Sequence, residues 1–333
     1  MFEPSDGGQA ASLSSLGWSD FFEGQLDPSD AGLVPRRIAT VHRARLTALS
    51  EAGLVELHLP VHASTVDFCV GDWVLAHPAN AVMHRRLERR TVLERRPEGS
   101  KTPQLAAANL DTLFIVTSCS ADFNVARIER YLALANQAGT VPVVLLTKPD
   151  TVDDARPYHE QAAALQRGLP VVTLNPRSAD SRTALAQWCA PGQTVALVGS
   201  SGVGKSTLVN TLVGRTNAPQ QTSAIREHDG KGRHTTTSRS IHPILGGGWV
   251  IDTPGMRSLQ VREAEFGVDT LFAEITDLAP LCKFRDCTHA HEPGCAVQAA
   301  IATGTLDPDR LTRWRKLSAE SRGSTAAKSG RRR

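Results

Sequence analysis

No run in this chain approaches the roughly 18 successive apolar residues that suggest a membrane-spanning helix. The opening stretch, "MFEPSDGGQAASLSSLGWSDFFEGQ", has neither a basic n-region nor an apolar h-region, so a cytoplasmic rather than a secreted protein is expected. A strong net charge is missing as well: 37 Lys and Arg against 34 Asp and Glu leave +3, too little for a polycation. Cysteine is scarce, six in 333 residues, and Cys69, Cys119 and Cys189 stand alone, as small buried apolar residues do. Isolated thiols in a reducing compartment argue against a disulfide framework. What remains, 41% hydrophobic and 21% charged residues, is ordinary globular composition with length enough for two or three domains.

The chain divides by rhythm. Residues 1–34 are Ser-, Asp- and Gly-rich around one apolar patch, "LGWSDFF", and read as a largely loose extension with one short helix. Residues 35–103 alternate apolar and polar in short runs broken by Gly, Pro and Asn, which predicts a small OB-type β-barrel able to bind RNA. Trp73 in "VGDWV" fits a core position better than a base-stacking one. Six arginines and a lysine crowd Met83 to Lys101, either a solvated face or a contact for a phosphate backbone. Across 104–260, continuous apolar strands alternate with amphipathic helices, the pattern of a mostly parallel, doubly wound α/β sheet. Residues 261–318 turn helical around a Cys/His cluster, and 319–333 read as a basic disordered tail.

"GSSGVGKST" follows an apolar strand and opens a helix, the context a phosphate-binding loop requires. Backbone amides of Gly199, Ser200, Ser201, Gly202, Val203, Gly204 and Thr207 are placed to wrap phosphates, Lys205 to reach the β- and γ-phosphates, and Ser206 to hold Mg²⁺. "WVIDTPG" supplies a second acidic position, Asp252 on the Mg²⁺ shell, with the Gly255 amide free to sense the γ-phosphate. "TKPD" ends another strand. There Asp150 can accept N1–H and the 2-amino group of guanine, the Lys148 stem can cover the base, and Thr147 can brace the loop. A base reader upstream of the phosphate loop reverses the familiar GTPase order, so the sequence predicts a circularly permuted GTPase domain.

These stretches, together with "AANLDTLFIVTS", "DFNVARIERYL", "GRHTTT" and "CKFRDCTHAHEPGCAV", resemble the ribosome small-subunit-dependent GTPase A (RsgA/YjeQ) family over most of the chain. The resemblance implies an OB barrel, a permuted P-loop GTPase and a C-terminal helical zinc domain. It also implies GTP hydrolysis, to GDP and phosphate, stimulated by the small ribosomal subunit and its rRNA late in that subunit's maturation. Met256 stands where Ras-like enzymes carry a water-orienting glutamine, so His234 is the candidate to accept the proton of the attacking water. Thr236 or Thr235 would complete the Mg²⁺ shell. Cys282, Cys287, His289 and Cys295 form a Cys₃His set for one structural Zn²⁺, with His289 chosen over His291 by the family's spacing.

Thr147 replaces the family's common asparagine, and "TLNPRSAD" offers either Asn175 or Ser178–Ala179 where an "SA" loop is usual. The barrel-to-GTPase linker is shorter than the family's. A monomer without membrane contact is the expectation. The competing readings are a P-loop ATPase, in which "TKPD" is incidental, and an RNA-binding assembly scaffold with a slow nucleotide timer.

Overall fold

Alternating burial along residues 34–57 builds three antiparallel strands, β1 (Val34–Val41), β2 (Leu46–Ser50) and β3 (Gly53–Leu57). The computed structural model describes residues 12–42, 45–95, 104–215, 239–252 and 264–322. Strand β4 (Trp73–Ala76) returns along β1, β5 (Met83–Arg86) lies beside β4, and a parallel bridge from His58 to Val82 joins the end of β3 to the start of β5. The ring therefore closes in the order β1-β2-β3-β5-β4, the expected small barrel, around Ile38, Leu46, Leu57, Phe68, Val74 and Met83.

The segment before the barrel is packed rather than loose. Leu16 and Phe22, the latter on the short helix α1 (Asp20–Glu23), are buried with Trp73, Leu75 and Leu87. Trp18 meets Trp73 edge-on at 4.9 Å between ring centroids. Burial of each such side chain stabilises by about 1.5–3 kcal/mol, which outweighs the polar composition that suggested a loose extension. Trp73, 1% exposed, is a core residue. The same segment reaches the second domain, where the Trp249 indole donates to the Ser15 carbonyl at 2.7 Å. Arg37, on β1 and 1% exposed, donates to the Leu16 carbonyl (2.6 Å), the Thr194 hydroxyl (2.7 Å) and the Asn109 carbonyl (3.3 Å). Burial lowers its pKa to about 10.

Strand β6 (Val92–Arg95), expected in the barrel, pairs instead with β7 (Gln104–Ala108), so the expected boundary at 103/104 falls inside a two-stranded ribbon. Beyond it the chain winds the main sheet from β8 (Thr112–Ser118), β9 (Val141–Thr147), β10 (Val171–Leu174), β11 (Thr194–Gly199), β12 (Arg239–Pro243) and β13 (Trp249–Asp252). Their order is β10-β9-β8-β11-β13-β12, all parallel except β12. Helices α2 (Val125–Ala138), α3 (Arg156–Ala163), α4 (Asp180–Ala184) and α5 (Lys205–Val213) make the crossovers. Strand β12 also pairs with β1, Thr40 opposite Ser240, so barrel and α/β sheet are continuous.

The C-terminal part comprises α6 (Glu265–Leu271), α7 (Ala273–Leu278), α8 (Ala296–Ala302) and α9 (Pro308–Arg322). Helix α6 lies so close on α2 that a Cβ at Gly267 would come 2.0 Å from the Ala133 carbonyl oxygen. Arg310 of α9 fastens the unit. It donates to Glu129 of α2 (2.8 Å), Glu274 (2.6 Å) and the carbonyls of Leu165 (2.6 Å) and Leu271 (2.7 Å), while lying over the Phe272 ring. Helix α9 continues to Arg322, past the expected start of the tail at 319. Glu320 pairs with Arg130, and the Ser321 hydroxyl accepts from the Ala264 amide.

Candidate nucleotide site and Cys/His centre

Strand β11 runs buried down the middle of the sheet and releases its chain at Gly199, where φ is +139° and a Cβ would come 2.1 Å from the Val116 carbonyl oxygen. Only glycine fits that close approach. The loop Ser200–Gly204 then enters α5, whose N-terminal amides face the loop. The Lys205 ammonium folds over it and donates to the Gly199 carbonyl (2.8 Å) and the Ser200 carbonyl. Ser206 is exposed in the first turn of α5, and Thr207 is half-buried behind it. Asp252 ends β13, which runs beside β11 with Ile251 opposite Ala196. Gly255, His234, Thr235 and Thr236 lie outside the described residues.

The segment at the end of β9 comes to the same edge of the sheet. Thr147 is fully buried, and its hydroxyl donates to the Val203 carbonyl of the loop at 2.7 Å, with the Thr117 carbonyl at 3.1 Å. Lys148 follows in the left-handed region, φ +55°, which turns the chain sharply so that Lys148 and Asp150 are exposed at the rim. Thr151 closes the turn on the carbonyls of Lys148 and Cys119. The "TLNPRSAD" segment leans in from the side. The Asn175 side chain accepts from the Arg177 amide, Pro176 lies against Gly204, and the Pro176 carbonyl accepts from Thr211 of α5.

At the far side of α2, the donor atoms of Cys282, Cys287, His289 and Cys295 lie within 4.8 Å of one another. His289 Nδ1 is 3.5 Å from Cys282 Sγ and from Cys295 Sγ, and those two sulfurs are 3.8 Å apart. A tetrahedral zinc with Zn–S near 2.3 Å and Zn–N near 2.05 Å spaces sulfurs about 3.8 Å apart and sulfur from nitrogen about 3.6 Å, so the set fits zinc. His289 adopts φ +57°, and its carbonyl accepts from Gln298 and Arg315. Burial lowers its pKa, which favours the neutral ligand form. His291 is exposed and outside the set. Glu292, in the "EPG" turn before Cys295, staples the loop by accepting from the Thr288 hydroxyl and from the amides of Thr288, Ala290 and His291. Those donors hold its pKa well below the usual carboxylate range.

The profile of the RsgA GTPase family matches residues 86–262, more than half of the chain. The small ribosomal subunit biogenesis GTPase RsgA of Mesorhizobium japonicum is 68% identical over 320 residues, covering 96% of this chain and 92% of that protein. This chain belongs to the RsgA GTPase family. RsgA 2 of Vibrio parahaemolyticus is 47% identical over 95% of this chain and 88% of its own. Two solved folds are similar at a TM-score of 0.64: YjeQ from Thermotoga maritima, at 23% identity over 86% of this chain and 97% of its own, and YloQ, a circularly permuted GTPase, at 21% over 92% and 99%. The chain is thus a GTP hydrolase, and its strand order is the permuted one.

Within this RsgA GTPase, the basic cluster resolves into separate jobs. Arg85 pairs with Asp30, Arg89 with Asp72 at 2.6 Å, and Arg90 with Asp111. Arg85 and Arg90 stay about a third or more exposed beside their carboxylates, whereas Arg89 is largely buried on Asp72. A different arginine stands at the nucleotide loop: Arg127, from the first turn of α2, donates to the Ser200 hydroxyl. Its only trace in the sequence is its place in "DFNVARIERYL", two residues into a helix that follows a central strand.

Proposed function

We propose that this GTPase acts on the small ribosomal subunit, which stimulates its hydrolysis of GTP, as a step in that subunit's late maturation. The observation that carries the nucleotide reading is the Thr147 hydroxyl on the Val203 carbonyl, which ties "TKPD" to "GSSGVGKST" within one site. The relatives' own names, small ribosomal subunit biogenesis GTPases, support the partner.

In this reading Asp150 accepts the two donors of guanine that adenine lacks, and the Lys148 stem covers the base. The loop amides from Gly199 to Thr207 hold the phosphates, and the Lys205 ammonium leaves its loop carbonyls for the β/γ oxygens. Ser206, Asp252 and one of Thr235 and Thr236 hold Mg²⁺, which neutralises charge on the phosphate oxygens when bound. His234 takes the proton of the attacking water, and the Gly255 amide senses the γ-phosphate. Cys282, Cys287, His289 and Cys295 hold zinc in a structural role, since the protein supplies all four tetrahedral positions. The barrel meets rRNA, and the protein works in the cytoplasm as a monomer.

The test is hydrolysis of GTP and of ATP with and without purified small subunits. Strong stimulation confined to GTP is expected. GTP turnover indifferent to subunits removes the partner, and equal use of ATP removes the guanine reading.

A further inference from the structure

We propose that Arg127 is a positioning residue for the terminal phosphate of GTP, acting from outside the phosphate loop. The inference rests on the phosphate-loop reading above. Lys205, the residue that reaches β- and γ-phosphates in such loops, places its ammonium on the carbonyls of Gly199 and Ser200. That end of the loop is therefore the β/γ end, whereas the α/β end lies at Gly204 and the start of α5. Arg127 donates to the hydroxyl of Ser200, so its guanidinium stands at the β/γ end.

Three further observations support the role. Arg127 lines a small cleft beside the loop, with Thr117, Asp122, Asn124, Tyr131 and Ser200. The cleft opens at the N-terminal turn of α2, where Asn124 caps the Arg127 amide and the helix end adds positive potential. Arg127 is exposed and, among the described residues, no carboxylate pairs with it; Asp122 shares the cleft without an ion pair. One N–H of the guanidinium is used on Ser200, which leaves the rest of its planar donor fork for a phosphate oxygen. A cation at this end distinguishes a triphosphate from a diphosphate and offsets charge that builds on the γ-oxygens during transfer.

The test uses the full chain with Mg²⁺ and compares Arg127→Ala, Arg127→Lys and Ser200→Ala with wild type. Affinities for GDP and for a non-hydrolysable GTP analogue are measured, together with single-turnover hydrolysis. Arg127→Ala is expected to weaken the GTP analogue about tenfold more than GDP, the loss of one charge-assisted hydrogen bond. Hydrolysis should slow, and Arg127→Lys should restore part of both effects. Ser200→Ala, which removes the anchor and keeps the charge, should lose an intermediate share of the GTP preference. Parallel losses for GDP and the GTP analogue would make Arg127 a brace of the loop only and overturn the proposal, as would unchanged binding and turnover. Lys205→Ala separates this from the underlying reading: if that variant binds both nucleotides like wild type, the phosphate loop itself has been misassigned.

Discussion

Replacing Arg310 by alanine should loosen the C-terminal unit from the GTPase sheet by about 3–5 kcal/mol, the usual loss when one partner of a buried ion pair is removed. The structure gives that range its content. Arg310 and Glu129 are 8% and 3% exposed at their side chains, and the guanidinium also serves Glu274 and the carbonyls of Leu165 and Leu271. The alanine variant leaves those two carbonyls without this donor, at about 1–3 kcal/mol for each one that water fails to reach. It leaves the Glu129 carboxylate to Arg313 alone, whose Nε is 3.0 Å away. Contact with Phe272, 4.1 Å from the guanidinium carbon, contributes about another 1 kcal/mol. Arg313 retains some of the charge pairing and water fills some of the space, which keeps the total inside the range for a broken pair. At about 2–3 °C per kcal/mol for a chain of this size, calorimetry should show the transition lowered by roughly 6–15 °C. Arg310→Met combined with Glu129→Gln should recover much of the loss, because no buried charge is then stranded. A decrease under about 1 kcal/mol for Arg310→Ala would refute the reasoning.

Three other outcomes are expected. Thr147→Val, nearly isosteric, should weaken GTP and GDP alike and destabilise the domain by about 1–3 kcal/mol through the stranded Val203 carbonyl, with Thr147→Ser close to wild type; a selective loss of GTP would contradict the bracing role. Cys287→Ser should lower zinc below one ion per chain by elemental analysis and expose the C-terminal unit to protease, and full zinc content would refute the ligand set. His234→Ala should keep GTP and subunit binding and lose subunit-stimulated hydrolysis, so unchanged stimulated turnover would remove His234 from the mechanism.

What could be read in advance was whatever a short window holds together. The glycine-rich loop between β11 and α5 and the Cys/His set declare themselves because a tight strand-to-helix turn and a tetrahedral ligand set each need fixed spacings along the backbone. Thr147 as a brace was legible for the same reason, and the structure supplies its partner, Val203. Pairing between distant positions was not. Arg37 and Thr194 are 157 residues apart and Arg310 and Glu129 are 181 apart, and no local pattern marks an arginine as buried. Alternation identified β1 as a strand without telling that β12 would join its Thr40–Val41 end. Small residues hid β7, "QLAAA", whose run is too short to separate strand from helix. Composition misjudged residues 12–34, where Leu16, Trp18 and Phe22 outweigh the serines around them.

The bracket formed by Ser15, Arg37 and Thr40 imposes an order on synthesis. Trp18 and Phe22 can cover Trp73 soon after the barrel emerges, but Ser15 waits 234 residues for the Trp249 indole, and Thr40 waits 200 for Ser240. At a translation rate of about 5–20 residues per second, that interval is roughly 10–40 s. Throughout it a nascent barrel holds a strand end at Thr40–Val41 unpaired along one edge and open to mispairing. The last of these contacts to form lie on β12 and β13, so the edge shared by barrel and sheet closes only after the final two strands have emerged.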